Sequence, residues 1–228
     1  MKKAVVLLSA GLDSTVNLYA AHRDLEIVLA LTFDYGQKAA AKEKYCSQRL
    51  AEQLGVLHKV IDLGWFRDFG ASALIQSNQK IPTDQVKIND LPTSQQTARS
   101  VWVPNRNGIF LNIAAGFAES LEADYVIPGF NAEEAVTFPD NSTEFMGAMD
   151  SSLKFSTANH VRIHCLTDKL NKPEIAKLAV ELGVPISNLW PCYFPGEKWC
   201  GECESCQRSK RAFRTQGIET KGLFLVNE

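Results

Sequence analysis

Residues 5–16 read V-V-L-L-S-A-G-L-D-S-T-V, and this stretch decides the fold. The apolar run 5–8 is typical of a buried strand, the residues from Asp13 onward are typical of a helix, and the residues between them are small. A short loop of small residues between a strand and a helix gathers backbone N–H groups at the positive end of the helix dipole. The stretch therefore predicts an α/β protein with an anion-binding loop directly after its first strand.

The rest of the chain repeats the alternation of strand and helix. Strands are predicted at residues 4–8, 27–33, 57–63, 124–128 and 161–165. Helices are predicted at residues 13–23, 39–54, 106–121 and 173–182. Strands that alternate with helices in this way form βαβ units, so we expect a doubly wound parallel sheet of the Rossmann type.

Two segments fall outside this alternation. Residues 76–99 are polar, contain two prolines and show no clear period, so we expect a long loop or lid there. Beyond residue 188, cysteine, glycine and aromatic residues cluster, and a basic stretch follows. We therefore predict two units, an α/β domain of residues 1–188 and a small C-terminal appendage of residues 189–228.

Composition limits the classes of function. The 228 residues carry a formal net charge of −2, whereas a chain that binds a nucleic-acid backbone is usually basic, so direct tRNA binding is not expected. The N-terminus lacks the long apolar region and cleavage site of a signal peptide, and no apolar stretch is long enough to span a membrane. We expect a cytoplasmic protein without a membrane partner, in which the six cysteines are thiols or metal ligands.

Four of these cysteines lie close together near the C-terminus. Cys192, Cys200, Cys203 and Cys206 are separated by seven, two and two residues. Four thiolates at such spacing close a tetrahedron around zinc in a structural site, so zinc is the metal we expect. An iron–sulfur cluster and a redox-active C-x-x-C pair are the alternatives that the spacing leaves open.

The order of residues in the loop limits the classes of ligand that it is expected to bind. Residues 9–14 read S-A-G-L-D-S, which matches neither the G-x-x-x-x-G-K-[ST] loop nor the G-x-G-x-x-G fingerprint. The pattern resembles S-G-G-x-D-S, with which the ATP pyrophosphatase superfamily holds the pyrophosphate of ATP. An ordinary strand-to-helix turn capped by Asp13 or Ser14 is the alternative. Ala10 stands where the superfamily has glycine, and alanine costs about 1 kcal/mol if that position needs a positive φ.

Further motifs follow the loop in a fixed order. They read F-D-Y-G-Q at 33–37, P-N-R-N-G-I-F-L at 104–111, P-G-F-N at 128–131, F-P-D-N-S-T-E-F at 138–145, N-K-P-E at 171–174, W-P-C-Y at 190–193 and C-G-E-C-E-S-C-Q-R at 200–208. Together with the loop, this ordered set resembles the 7-cyano-7-deazaguanine synthase family of the ATP pyrophosphatase superfamily. The resemblance extends over residues 3–214.

The resemblance implies an ATP-dependent ligase of queuosine biosynthesis. In that family, ATP activates the carboxylate of 7-carboxy-7-deazaguanine, and ammonia converts the activated group to an amide. A second ATP activates the amide, and loss of AMP leaves the nitrile. The resemblance also implies Mg²⁺ with the ATP, structural Zn²⁺ on the four cysteines and a homodimer.

The loop, the ends of strands and helices, and the resemblance together predict the site residues. ATP and Mg²⁺ are expected on Leu8, Ser9, Ala10, Gly11, Leu12, Asp13, Ser14, Thr15, Asp34 and Tyr35. The expected catalytic residues are Asp13, Arg106 and Lys172. From the resemblance, the substrate is expected on Arg106, Asn107, Gly129, Phe130, Asn131, Glu134, Phe138 and Asp140.

The chain departs from the family pattern in the expected base pocket. Asn105 replaces a glycine, Asn131 a cysteine, Glu134 an aspartate and Phe138 a tyrosine. Because of these departures, a substrate other than 7-carboxy-7-deazaguanine is also considered. The alternatives are a tRNA-thiolating enzyme of the same superfamily, a relative that attaches a deazaguanine to a protein, and a zinc-stabilised binding protein with a degenerate loop.

Overall fold

The computed structural model describes residues 1–70, 72–83 and 86–225 and contains one parallel sheet of five strands. The strands are β1 Lys3–Leu7, β2 Glu26–Asp34, β3 His58–Asp62, β4 Tyr125–Ile127 and β5 Arg162–Ile163. They lie in the order β3-β2-β1-β4-β5, and every neighbouring pair is parallel. The predicted parallel α/β sheet is therefore confirmed.

Helices connect and cover the strands. They are α1 Leu12–Asp24, α2 Ala40–Gln53, α3 Leu91–Val101, α4 Arg106–Ser120, α5 Ala132–Ala135, α6 Thr143–Ser156, α7 Lys172–Glu181 and α8 Glu204–Thr215. Short 3₁₀ turns occur at Gly64–Phe69, Pro139–Asn141 and Ile186–Asn188. No helix among the described residues combines the length and the apolar character needed to cross a membrane.

The sheet is covered on both faces because parallel crossovers are right-handed. Helix α1 packs against α7, and α4 packs against α6. The two pairs lie on opposite faces, since the chain winds outward in one direction from β1 to β3 and in the other from β1 to β5. The central strand β1 is accordingly apolar, and its Ala4, Val5 and Val6 are fully buried.

The strand order reverses beside β1. From β1 the chain passes to β2 on one side, and β4 pairs with β1 on the other. The connections that follow β1 and β4 therefore diverge and leave a crevice at the carboxyl ends of these strands. Open α/β sheets bind ligands at such a switch point, so the fold alone locates the candidate site.

The prediction of a loop or lid at 76–99 is wrong for its last part, because α3 occupies Leu91–Val101. The side chain of Asp90 caps this helix by accepting a hydrogen bond from the Thr93 N–H at 3.0 Å, and Pro92 lies in its first turn. Its buried face consists largely of small or polar residues such as Ser94, Thr97 and Ala98, so the sequence shows no apolar period. Residues 84 and 85 of the expected lid lie outside the described residues.

The C-terminal segment packs onto the α/β unit. Helix α8 packs against α7, and Trp190, Trp199 and Phe213 belong to the same buried cluster as the residues of β1. The division into residues 1–188 and 189–228 stays a prediction. The continuous core nevertheless means that the C-terminal segment shares its buried surface with the sheet.

Candidate active site

The loop of residues 9–14 takes its shape from Ala10. Ala10 has φ of 58°, in the left-handed region, whereas Gly11 has an extended conformation with φ of −67° and ψ of 161°. A left-handed alanine costs roughly 1–2 kcal/mol. The carbonyl of this residue accepts a hydrogen bond from the Trp190 N–H at 2.8 Å, which helps to hold the strained peptide in place.

Hydroxyl and amide groups converge inside the loop. The Ser9 N–H donates to Ser14 Oγ at 3.2 Å, and Ser14 Oγ donates to the carbonyl of Gly11, also at 3.2 Å. The first hydrogen bond within α1 joins the Thr15 N–H to the Gly11 carbonyl at 3.1 Å. The amides of the residues ahead of Thr15 in α1 therefore have no partner within the helix, and such amides are the donors that an anion requires.

Gly129 lets the end of β4 approach the start of α1. A Cβ atom at position 129 would lie 2.6 Å from both the N and the Cα of Ser14, which is closer than non-bonded atoms approach. Only glycine therefore allows this contact between the residue after β4 and the start of α1. Gly129 therefore shapes the loop by packing against Ser14.

A buried charge cluster follows the loop. Lys172, the first residue of α7, forms ion pairs with Asp13 and, at 2.7 Å, with Glu134. Asn131 Nδ2 donates to Asp13 Oδ2 at 3.1 Å, and Asn131 Oδ1 accepts from the Glu134 N–H at 2.8 Å. One cation thus neutralises two carboxylates contributed by α1 and α5.

Burial and mutual proximity shift the pKa values of this cluster. Burial raises the pKa of Asp13 to about 6, against the opposing charge of Lys172, and the Glu134 carboxylate adds to the rise. Burial disfavours the Lys172 ammonium, but the charges of Asp13 and Glu134 outweigh it and raise the pKa of Lys172 above its usual value. Asp13 Oδ1 is buried and has no hydrogen-bond partner among the described residues. A carboxylate oxygen left free in this way fits a divalent cation such as Mg²⁺.

Arg106 is a second cation at the site. It begins α4 directly after Asn105, which has a left-handed φ of 51° that asparagine tolerates better than most residues. Arg106 Nη1 donates to the hydroxyl of Tyr35 at 3.4 Å, and no carboxylate within the described part of the chain forms an ion pair with it. The guanidinium is therefore available to an anionic ligand.

These groups surround one cavity of about 240 Å³ at the carboxyl ends of the strands. The predicted site residues that line it are Leu8, Ser9, Gly11, Leu12, Asp13, Ser14, Tyr35, Arg106, Asn107, Gly129, Phe130, Glu134, Phe138, Asp140 and Lys172. Residues from five separate parts of the sequence thus meet at the switch point.

Four predicted site residues do not line the cavity. Ala10 and Thr15 are fully buried in the loop and in α1. Asn131 is also fully buried and contacts Asp13 from behind. Asp34 pairs with Lys44 Nζ at 2.5 Å. Direct ligand contacts of these four residues stay predictions.

Sequence reasoning missed several residues of the wall. Glu43 from the first turn of α2, Trp102 after α3, and Tyr193, Ser205 and Ser209 from the C-terminal segment all line the cavity. The rings of Trp102 and Phe138 are nearly parallel, with an interplanar angle of 8° and centroids 6.3 Å apart. Glu43 carried a detectable signal, since an acidic residue early in the helix after β2 belongs to the same edge of the sheet. The others depend on tertiary packing.

The four cysteines of the C-terminal segment converge. The Sγ atoms of Cys192, Cys200, Cys203 and Cys206 all lie within 4.8 Å of one another. The Sγ atoms of Cys200 and Cys206 are 3.8 Å apart, the edge of a tetrahedron with Zn–S bonds of about 2.3 Å. Backbone N–H groups of Phe194 and Cys200 point at Cys192 Sγ from 3.4 and 3.3 Å, which favours a thiolate. The donor set fits one zinc ion.

A network of ion pairs joins this segment to the charge cluster. Arg208 of α8 pairs with Glu133, the neighbour of Glu134, and its Nη2 lies 2.7 Å from Glu204 Oε1. Glu204 also accepts a hydrogen bond from Thr97 Oγ1 of α3 at 2.8 Å. The C-terminal helix therefore braces both α5 and α3 around the cavity.

Comparison with solved structures supports the fold. NMN synthetase from Francisella tularensis aligns with a TM-score of 0.50 at 17% identity, over 98% of this chain and 80% of that one. At such low identity the likeness concerns the fold alone.

Comparison with known sequences is more specific. The family model described as "Queuosine biosynthesis protein QueC" matches residues 3–217. The chain is 60% identical over 225 residues to a 7-cyano-7-deazaguanine synthase of Bdellovibrio bacteriovorus, covering 98% of this chain and 97% of the relative. It is 50% identical over 212 residues to a protein of the same name from Carboxydothermus hydrogenoformans, covering 93% and 98%. The chain therefore belongs to the queuosine biosynthesis protein QueC family.

Proposed function

We propose that this protein is an AMP-producing ligase that converts 7-carboxy-7-deazaguanine and ammonia to 7-cyano-7-deazaguanine with ATP. The observation that carries this function is that one cavity joins the free amides of α1 to two cations, Lys172 and Arg106. A polyanion and a carboxylate can be held there together. The names of the relatives supply the identity of the product.

The loop of residues 9–14 would bind the pyrophosphate of ATP. Leu12, Asp13 and Ser14 at the start of α1 line the cavity, and the hydroxyl oxygens of Ser9 and Ser14 lie 3.2 Å apart beside it. No lysine follows the loop as it does in phosphate-binding loops that transfer the γ-phosphate. This geometry suits attack at the α-phosphate, with pyrophosphate as the leaving group.

The charged residues would serve the activation of an oxygen. Arg106 would hold the substrate carboxylate, placing its oxygen in line with the α-phosphorus. Lys172 would stabilise negative charge that develops on the phosphates. Asp13 would hold Mg²⁺ through its free oxygen, and the ion would neutralise phosphate charge.

Trp102, Phe138 and Glu134 would bind the base. Trp102 and Phe138 offer aromatic faces, and Glu134 offers a carboxylate that can accept hydrogen bonds from the N1–H and amino groups of a guanine edge. Glu134 keeps the negative charge of the aspartate in the family pattern, one methylene further out. Phe138 lacks the hydroxyl of the family tyrosine, which costs about 0.5–1.5 kcal/mol if that hydroxyl bonds the substrate.

The remaining parts of the proposal concern cofactors and assembly. Zinc on the four cysteines would hold together a segment that also lines the cavity through Tyr193 and Ser209. The six free thiols suit a reducing compartment such as the cytoplasm. A homodimer is supported by the edge strand β3 and by the exposed apolar side chains of Leu57 and Trp65 beside it.

One assay tests the function. Purified protein is incubated with ATP, Mg²⁺, ammonium and 7-carboxy-7-deazaguanine, and products are identified by mass spectrometry. We expect the nitrile together with AMP and pyrophosphate. ADP as the main nucleotide product, or a requirement for tRNA or a protein acceptor, would contradict the proposal.

A further inference from the structure

Glu43 is a cavity residue for which the functions proposed above give no role. It lies in the first turn of α2 and lines the same cavity as Arg106 and Tyr35. Gln37 Nε2 donates a hydrogen bond to Glu43 Oε2 at 2.7 Å. No hydrogen bond reaches Glu43 Oε1 and no cation forms an ion pair with it, within residues 1–70, 72–83 and 86–225. One oxygen is therefore fixed, and the other is free.

The orientation of Glu43 is set by its neighbours. Gln37 Oε1 accepts from the Tyr35 N–H at 2.9 Å, and Gln37 Nε2 also donates to the Phe33 carbonyl at 2.9 Å. The side-chain amide of Gln37 is thus fully engaged and cannot turn. It presents a donor to Glu43 Oε2, so the free Oε1 keeps a defined position in the wall.

The charges around Glu43 leave it able to exchange a proton near neutral pH. Burial raises the pKa of Glu43 to about 7, against the opposing effects of the Gln37 hydrogen bond and the Arg106 charge, and the Asp34 charge adds to the rise. The charge of Glu43 in turn contributes to the raised pKa values of Tyr35 and Cys46. A carboxyl group in this condition is suited to general acid–base catalysis.

Nitrile formation from an amide requires a base. The amide oxygen attacks the α-phosphorus and displaces pyrophosphate, and one N–H proton is lost, which leaves an O-adenylated imidate with one N–H. The C–O bond then breaks and its electron pair leaves with AMP. The electron pair of the last N–H bond becomes the third C–N bond, and the proton passes to a base.

We propose that Glu43 is a catalytic base that accepts this last N–H proton through Oε1 as AMP departs. This inference rests on the proposed function. Arg106, which lines the same cavity, would hold the oxygen that leaves. Glu43 would accept the proton and Arg106 would stabilise the leaving group of the same substrate molecule. Glu43 passes the proton on to water when the product leaves.

The test separates two half-reactions in the full-length protein. Carboxylate-dependent exchange of pyrophosphate into ATP measures adenylation, in which no N–H proton is lost. Conversion of synthetic 7-amido-7-deazaguanine to the nitrile measures the step assigned to Glu43. The variants are Glu43→Gln, which keeps the shape and the bond to Gln37, Glu43→Asp, and Glu52→Gln as an exposed control on the same helix.

We expect Glu43→Gln to keep pyrophosphate exchange within about twofold and to lower nitrile formation by about 100-fold or more. The rise of nitrile formation with pH near 7 in the wild type should disappear in this variant, and Glu43→Asp should restore part of the rate. Unchanged nitrile formation in Glu43→Gln, or an equal loss in both half-reactions, overturns the role of Glu43 alone. A wild type that makes no nitrile overturns the proposed function and this role together.

Discussion

The N–H of Trp190 donates a 2.8 Å hydrogen bond to the carbonyl of Ala10, so the chain entering the cysteine cluster is attached to the left-handed residue of the loop of residues 9–14. The N-terminal loop and the C-terminal segment therefore form one unit at the site. Changes at either end are expected to affect the other.

Replacement of Ala10 tests the strain in the loop. Because φ is 58°, Ala10→Gly should raise the free energy of unfolding by up to about 1 kcal/mol, and Ala10→Val should lower it by about 2 kcal/mol or more. Urea denaturation measures both. A marked destabilisation by glycine would show that the buried methyl group matters more than the backbone conformation.

Metal analysis tests the cysteine cluster. We expect one zinc per chain, loss of zinc in Cys203→Ser, and retention in Cys46→Ser, which changes a buried cysteine outside the cluster. Removal of zinc by a chelator should lower the melting temperature and abolish AMP formation, because Tyr193 and Ser209 line the cavity. Iron with visible absorbance would identify an iron–sulfur cluster instead.

Lys172 should be essential for both stability and turnover. In Lys172→Met the carboxylates of Asp13 and Glu134 lose their shared cation, which should lower the free energy of unfolding by about 3–5 kcal/mol. AMP formation should fall by about 100-fold or more. Lys169→Met, at an exposed position nearby, is the matched control. A stable and active Lys172→Met protein would remove Lys172 from the catalytic residues.

Trp102 should contribute to binding of the base. Stacking of a base on an aromatic side chain is worth about 1–3 kcal/mol, so Trp102→Ala should raise the KM for the deazaguanine substrate roughly 5- to 150-fold and leave the KM for ATP nearly unchanged. Phe155→Ala changes an exposed aromatic residue outside the cavity and is the control. An equal rise in both KM values would indicate a general loss of structure.

The free energy of unfolding should depend on pH because of the titration of Glu43. Its pKa is about 7 in the folded chain against a usual 4.5, so the folded state retains a proton that the unfolded chain releases. The stabilisation is complete below pH 4.5 and is lost as pH rises to about 7. Urea denaturation of wild type and Glu43→Gln across this range should show the wild type losing stability relative to the variant. A pH-independent difference would place the pKa of Glu43 near its usual value.

The parallel sheet could be predicted because its strands are short apolar runs that local sequence reveals. Residues 4–8 and 27–33 were expected as strands, and β1 and β2 lie at Lys3–Leu7 and Glu26–Asp34. The loop of residues 9–14 was likewise recognisable, because its small residues follow a strand and precede a helix.

The walls of the cavity could not be predicted in the same way. Helix α3 shows no helical spacing of apolar residues in the sequence, because its buried face consists largely of serine, threonine and alanine. Ser209 reaches the cavity because α8 packs against α7, a contact between segments far apart in sequence. A left-handed conformation at Ala10 costs roughly 1–2 kcal/mol, and no local rule assigns it to alanine in preference to Gly11.

The 2.6 Å approach of a hypothetical Cβ at position 129 to Ser14 has a consequence for mutational scans. Every substitution at Gly129 must push the start of α1 away from β4, so position 129 should tolerate change as poorly as Asp13 or Lys172. A scan scored by activity alone would class the three together. Even Gly129→Ala, the smallest change, should be as damaging as replacement of Asp13, because the intolerance of Gly129 arises from the space between two backbones.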